Sequence, residues 1–254
     1  MSSQVDAGII PQLDSDGFQK LGQIVDPKYY AERLAALPKV VVDSSDDEFM
    51  QFDWTDIWRD QFEKNTRLLI APNSEHSLAT GLPALMPTLA ASFEAISAGR
   101  PMPSFTTAYD AATGKLSVTL PAGMSHGKVV LRHAQTFSTT RRDFRWVRLA
   151  SNITEPCKLP EVTLKKPVFG GNCLVPIIWH GETLQPDAVE AGADTVFTAT
   201  PPEPKAGHWT GYYIEVYFSS PAAGEYKFTS PGYAWPNTLP FEDCHAEGCT
   251  PRLV

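Results

Sequence analysis

Val40-Val41-Val42-Asp43-Ser44-Ser45-Asp46-Asp47-Glu48-Phe49 and Leu68-Leu69-Ile70-Ala71-Pro72-Asn73-Ser74-Glu75-His76-Ser77 are two stretches built on one plan. Each opens on a short apolar run and closes, a few residues later, on a side chain that can carry a proton. The β-branched run after Pro38 shows no polar alternation, which suits a strand buried on both faces of a parallel sheet. The two proton-handling residues, Asp47 and His76, stand 29 positions apart. A carboxylate and an imidazole at the carboxyl ends of neighbouring strands can form an acid–base pair, the carboxylate orienting the ring.

Working outward, residues 1–99 alternate between strand and helix. Asp26-Pro27 through Leu34 reads as a short helix, and residues 51–63 as a helix or helical turn. Leu82, Leu85, Met86, Leu89, Phe93 and Ile96 fall at helical spacing, predicting an amphipathic helix that packs these residues on the sheet. Gly99 stands where a left-handed C-cap ends a helix. Arg100-Pro101-Met102-Pro103 is a stiff link. Beyond it the period changes to two. Ser104–Tyr109 and Lys115–Leu120 flank Asp110-Ala111-Ala112-Thr113-Gly114, a hairpin signal, and Lys128–His133, Phe144–Leu149 and Trp209–Phe218 are further alternating runs. This predicts an immunoglobulin- or fibronectin-like β-sandwich over 100–254. The front half predicts the C-terminal part of an α/β-hydrolase-like sheet. The fold class is therefore α/β plus all-β.

In an α/β-hydrolase the chain order is nucleophile, acid, base. Asp47 and His76 fit the last two places, yet no nucleophile elbow precedes Asp47. Gly123-Met124-Ser125-His126-Gly127 is a formal Gly-x-Ser-x-Gly match, but it follows His76 and is flanked by alternating strands rather than by a buried strand and a helix. Ser125 is read as part of a glycine-flanked hairpin loop. Asp47 has a competing role as a helix cap, because Asp43, Asp46 and Asp53 surround it. His76 alone would be an ordinary surface histidine. Trp179, Trp209, Tyr212, Tyr213 and Trp235 could stack a sugar, but at alternating strand positions they read as core.

The 254 residues are 43% hydrophobic and 20% charged, with a net charge of −8. This acidic balance argues against nucleic acid or an anionic membrane as partner. No apolar run approaches the roughly 20 residues of a membrane span. Met1–Asp6 lacks the features of a signal peptide. Cys157, Cys173, Cys244 and Cys249 allow three disulfide pairings, and Cys244-His245-Ala246-Glu247-Gly248-Cys249 lacks the second ligand pair of a zinc site. Asn152-Ile153-Thr154 is a glycosylation sequon. The cysteines and the sequon point to an exported parent protein. Nothing implies a cofactor or a metal.

Asp6-Ala7-Gly8-Ile9-Ile10-Pro11-Gln12-Leu13, Ile24-Val25-Asp26-Pro27-Lys28-Tyr29-Tyr30, Arg33-Leu34, Asp47-Glu48-Phe49, Pro72-Asn73-Ser74-Glu75-His76-Ser77, Arg142-Asp143-Phe144-Arg145, Phe228-Thr229 and Leu239-Pro240-Phe241 occur in that order. This resembles the C-terminal half of the PhoPQ-activated pathogenicity-related family, most thinly between about 155 and 205. Met50 departs from the second aromatic usual there. The resemblance implies a secreted α/β-hydrolase followed by a β-sandwich, with Asp47 as acid and His76 as base. It implies structural ion pairing and core packing for Arg142, Asp143 and Phe144. The expected activity of a parent protein is serine-dependent ester or amide hydrolysis of a small-molecule or peptide substrate. This chain, without the nucleophile half, is expected to be inactive alone. The family also includes a growth-repressing signal, so a non-enzymatic secreted signalling or binding protein is the alternative.

Overall fold

The computed structural model describes residues 7–62, 64–149, 157–158, 163–164, 172–175, 177–187, 192–220, 224–240 and 242–252. The amino-terminal Met1–Asp6, the sequon Asn152-Ile153-Thr154 and Phe241 lie outside these residues, as do the side chains of Cys157 and Cys173. The fold is mixed helix and sheet, with several antiparallel sheets. It divides into two compact units.

The smaller unit comprises 1–37, 58–65 and 239–254. Its main helix, Asp16–Val25, starts where the Ser15 hydroxyl accepts from the Phe18 amide at 3.2 Å. The predicted short helix after Asp26 is a 3-10 turn, Pro27–Tyr30, running into Ala31–Leu34. Cys244 and Cys249 form a disulfide within this unit.

The larger unit comprises 38–57 and 66–238. Strands β1 (Lys39–Ser44) and β2 (Thr66–Ala71) pair in parallel, in register from Lys39 opposite Thr66 to Ser44 opposite Ala71. The continuous apolar runs thus become parallel strands as expected, with Leu69, Ile70 and Ala71 of β2 wholly buried. Val40, Val41 and Val42 are only half-buried rather than covered on both faces, because β2 is the one strand that pairs with β1 among the described residues. The segment 51–63, read as a helix or helical turn, holds two single turns, Thr55–Ile57 in this unit and Arg59–Phe62 in the smaller one.

The hairpin falls where the turn chemistry put it, as β3 (Thr106–Asp110) and β4 (Lys115–Leu120), with Gly114 at φ +70°. β11 (Thr195–Ala199) adds to β4, giving the order β11-β4-β3. The second antiparallel sheet runs β10 (His180–Thr183), β5 (Val129–Gln135), β12 (Thr210–Ser219), β13 (Glu225–Thr229), with β14 (Tyr233–Trp235) also on β12. Alternate residues of the two sheets share one core: Leu116, Val118 and Leu120 with Tyr212, Ile214, Val216 and Phe228. Of the run Phe144–Leu149 only β6 (Val147–Leu149) is strand, pairing with β9 (Asn172–Leu174), and Phe144 is a buried loop residue instead. Between β6 and β9 in the chain, β7 (Cys157–Lys158) pairs with β8 (Thr163–Leu164).

The Leu82–Ser97 helix exists as predicted and ends at Gly99, φ +64°. Gly99 N–H donates to Ile96 O and Arg100 N–H to Ala95 O, the two bonds of a Schellman cap. Its buried face, however, is Leu85, Thr88, Ala91, Ser92 and Ala95. Leu82, Met86, Phe93 and Ile96, which the periodicity places inward, are exposed. The reason is close approach. Thr88 Oγ1 donates to Glu225 O and accepts from Lys227 N–H, and Tyr226 donates to Ala91 O. Only small side chains let the helix lie that near β13.

Candidate active site

The register of β1 and β2 ends both strands at the same level, which brings their following loops side by side. Ser45 N–H donates to Ala71 O and Asp46 N–H to Ser74 O, so the loops stay zipped for two further residues. Asp47 follows Asp46 directly, and His76 stands two residues beyond Ser74. His76 Nδ1 lies 3.0 Å from both Oδ1 and Oδ2 of Asp47. Glu48 adds a second tie, its carboxylate accepting from the His76 backbone amide at 2.9 Å.

Asp47 is only 7% exposed, whereas His76 is 51% exposed. The carboxylate accepts from the amides of Phe49 (2.7 Å) and Met50 (2.9 Å) and from the Ser44 hydroxyl (3.2 Å). No helix starts directly after Asp47, so its carboxylate does not cap one as the competing reading had it; it closes a local turn through the Phe49 and Met50 amides and also meets the imidazole. Such a donor-rich environment holds Asp47 fixed and favours Nδ1–H on His76. Phe49 packs edge-on against the ring with centroids 4.7 Å apart. Nε2 makes no hydrogen bond among the described residues. The pair can therefore hold a neutral imidazole whose Nε2 accepts a proton, and Asp47 can stabilise the imidazolium that results.

Two neighbouring carboxyls are governed by burial. Burial pushes Asp43 and Asp46 each up to about 7. At Asp46 this desolvation outweighs hydrogen bonds from Ser45, Trp179 and Ser74. Asp43 is further raised by the charges of Asp47 and Asp53.

Ser125 sits in the connection between β4 and β5, which belong to different sheets, so the loop crosses between sheets rather than closing a hairpin. It makes no hydrogen bond to His76. Arg142 pairs with Asp53 at 3.0 Å rather than with its neighbour Asp143, which instead grips Arg145 through both oxygens. Phe144 is buried edge-on to Phe52 at 5.2 Å. Trp179, Trp209, Tyr212 and Tyr213 are buried, in keeping with a core role, and Trp235 is half-buried. Among the described residues no three His, Cys, Asp or Glu side chains are placed to hold a metal ion.

Sequence reasoning overlooked Asp46, Asn73 and Glu48 as neighbours of the pair. Asn73 is at φ +56°, a left-handed position that asparagine tolerates, and the Pro72-Asn73 turn was the available signal.

A family model described as PhoPQ-activated pathogenicity-related protein matches residues 1–145. Autocrine proliferation repressor protein A of Dictyostelium discoideum is 31% identical over 252 residues, covering 93% of this chain and 45% of the relative. The chain thus spans less than half the length of the curated relative it matches. No solved structure matches the chain.

Proposed function

The chain belongs to the PhoPQ-activated pathogenicity-related family, and we propose that it supplies the acid and base of a serine-type ester or amide hydrolase. In this reading residues 1–99 are the C-terminal part of an α/β-hydrolase-like domain and 100–254 a β-sandwich. The protein is extracellular. A serine supplied from outside these residues attacks the carbonyl of a small-molecule or peptide substrate. His76 takes the serine proton on Nε2 and returns it to the leaving group, and Asp47 holds the ring and steadies its charge. The 254 residues by themselves are inactive, because the covalent step needs the attacking group.

The observation that carries this reading is the contact between His76 Nδ1 and the Asp47 carboxylate at 3.0 Å. The test is labelling by a serine-directed fluorophosphonate of the longest in-frame product that contains this chain. That product labels, the 254-residue chain does not, and Asp47→Asn slows labelling by up to about four orders of magnitude, as loss of the orienting carboxylate does in serine hydrolases. His76→Ala slows it at least as much. Labelling at an unchanged rate in both variants sinks the assignment.

A second reading is a secreted signalling or binding protein without enzymatic activity. It is favoured by the name of the Dictyostelium relative, a proliferation repressor. Under this reading purified protein slows cell division equally well with His76→Ala.

A further inference from the structure

The two loops that carry Asp47 and His76 are not held only by each other. Both are fastened to one tryptophan from the other part of the larger unit. Trp179 precedes β10 and is 2% exposed. Its indole Nε1–H donates to Asp46 Oδ1 at 2.9 Å, on the loop after β1. Its backbone N–H donates to Asn73 Oδ1 at 2.7 Å, and its carbonyl accepts from Asn73 Nδ2 at 3.2 Å, on the loop after β2. The clasp closes between the loops. Ser45 Oγ donates to Asp46 Oδ2 at 2.7 Å and accepts from Asn73 N–H at 2.9 Å. Asp46 O also accepts from Trp146 N–H. Trp179 is wedged among Phe52, Phe144 and Tyr213, with ring centroids 4.8, 5.9 and 5.3 Å away, so its indole has little freedom to swing.

We infer that Trp179 is a positioning residue for the Asp47–His76 pair, setting the level of the acid loop against the base loop through Asp46 on one side and Asn73 on the other. The inference rests on the acid–base reading above and adds to it a task for the segment 177–183. Asp46 and Asn73 are each one to three residues from the pair, so a shift of either carries Asp47 or His76 with it. Hydrogen bonds to a carboxylate are short and directional. A phenyl ring would fill most of the tryptophan site but offer no donor.

The experiment uses the 254-residue chain and reads His76 directly. Nitrogen NMR of the imidazole reports which ring nitrogen carries the proton, and solvent exchange of the Nδ1 proton reports how well it is held. In the parent chain neutral His76 is protonated on Nδ1. Trp179→Phe speeds exchange of that proton by up to about tenfold, the scale of one net hydrogen bond, and lowers the Nδ1–H fraction. Asp46→Ala, which keeps the tryptophan packing, does the same. Asp46→Asn keeps an acceptor for the indole and restores the parent values. Phe144→Leu disturbs the same aromatic cluster without touching these bonds and leaves His76 unchanged. Should Trp179→Phe fail to fold, the Asp46→Ala and Asp46→Asn comparison decides alone. Parent-like exchange and tautomer in Asp46→Ala, alongside their loss in Asp47→Asn, overturn the positioning role. An unchanged tautomer in Asp47→Asn itself overturns the acid–base pairing instead, so the two failures are distinguishable.

Discussion

Asp43, Asp46 and Asp47 show how three identical side chains within five residues meet different surroundings. Asp47 is ringed by donors: two amides, a hydroxyl and the His76 ring. Asp43 and Asp46 are dominated by desolvation, which favours the neutral acid and raises each to about 7 from the ordinary 3.8. Between those two values the folded state keeps a proton that the unfolded state has lost. The stability contributed by each group is therefore full below about 3.8 and is lost as pH rises through about 7. A shift of this size corresponds at most to on the order of 4 kcal/mol per group, and solvent reaching half-buried Asp43 reduces it there. The expected outcome in denaturant titrations is a fall in unfolding free energy between pH 5 and about 7.5. Asp43→Asn removes one titrating group and flattens that fall. A parent curve that rises over the same interval would show that these carboxyls are ionised in the folded protein.

At the scale of elements, what the sequence disclosed followed from backbone chemistry. The β-branched run Val40–Val42 sits in β1, Asp110–Gly114 turns between β3 and β4, and Gly99 caps its helix as a left-handed residue should. Hydrophobic periodicity misled at one point, the inward face of the Leu82–Ser97 helix. Periodicity finds where large apolar residues lie, but here the helix is apolar nearly all round, and the inward face was chosen by size. Ala91, Ser92 and Ala95 face inward because Thr88 bonds to both Glu225 O and Lys227 N–H. The Asp47–His76 pair was legible because local strand signals precede each residue. The Trp179 clasp was not, because it joins residues 106 and 133 positions apart, and one sequence carries no sign of such pairings. The helix gives a direct check. Ala95→Leu forces a larger side chain against the sheet and costs about 1–3 kcal/mol in denaturant unfolding. Phe93→Lys, at a position 75% exposed, changes it by less than about 0.5 kcal/mol. A large loss from Phe93→Lys with none from Ala95→Leu would reverse the assignment of the two faces.

For the whole molecule, the same outward residues set how the chain behaves in solution. Leu82, Met86, Phe93 and Ile96 recur at alternating spacings of four, seven and three along one helix, the kind of stripe that helices bury against a partner. Phe49, Met50 and Trp54 add further exposed apolar surface after β1, and β1 pairs with no strand but β2 among the described residues. Exposed apolar side chains, and a strand with a single strand partner, favour self-association. The net charge of −8 opposes it by repulsion between copies. That repulsion acts over a Debye length of about 8 Å at physiological ionic strength and only about 3 Å at 1 M salt. Salt weakens the repulsion and leaves the apolar attraction in place. Sedimentation of the 254-residue chain should therefore show association that grows with protein concentration and with sodium chloride. Met86→Lys with Phe93→Lys interrupts the stripe at two places at little cost to folding, and sedimentation of this variant should show less association at every salt concentration. Association that instead weakens as salt is added would mean that ionic contacts hold the copies together, and the apolar stripe would lose its part in the assembly.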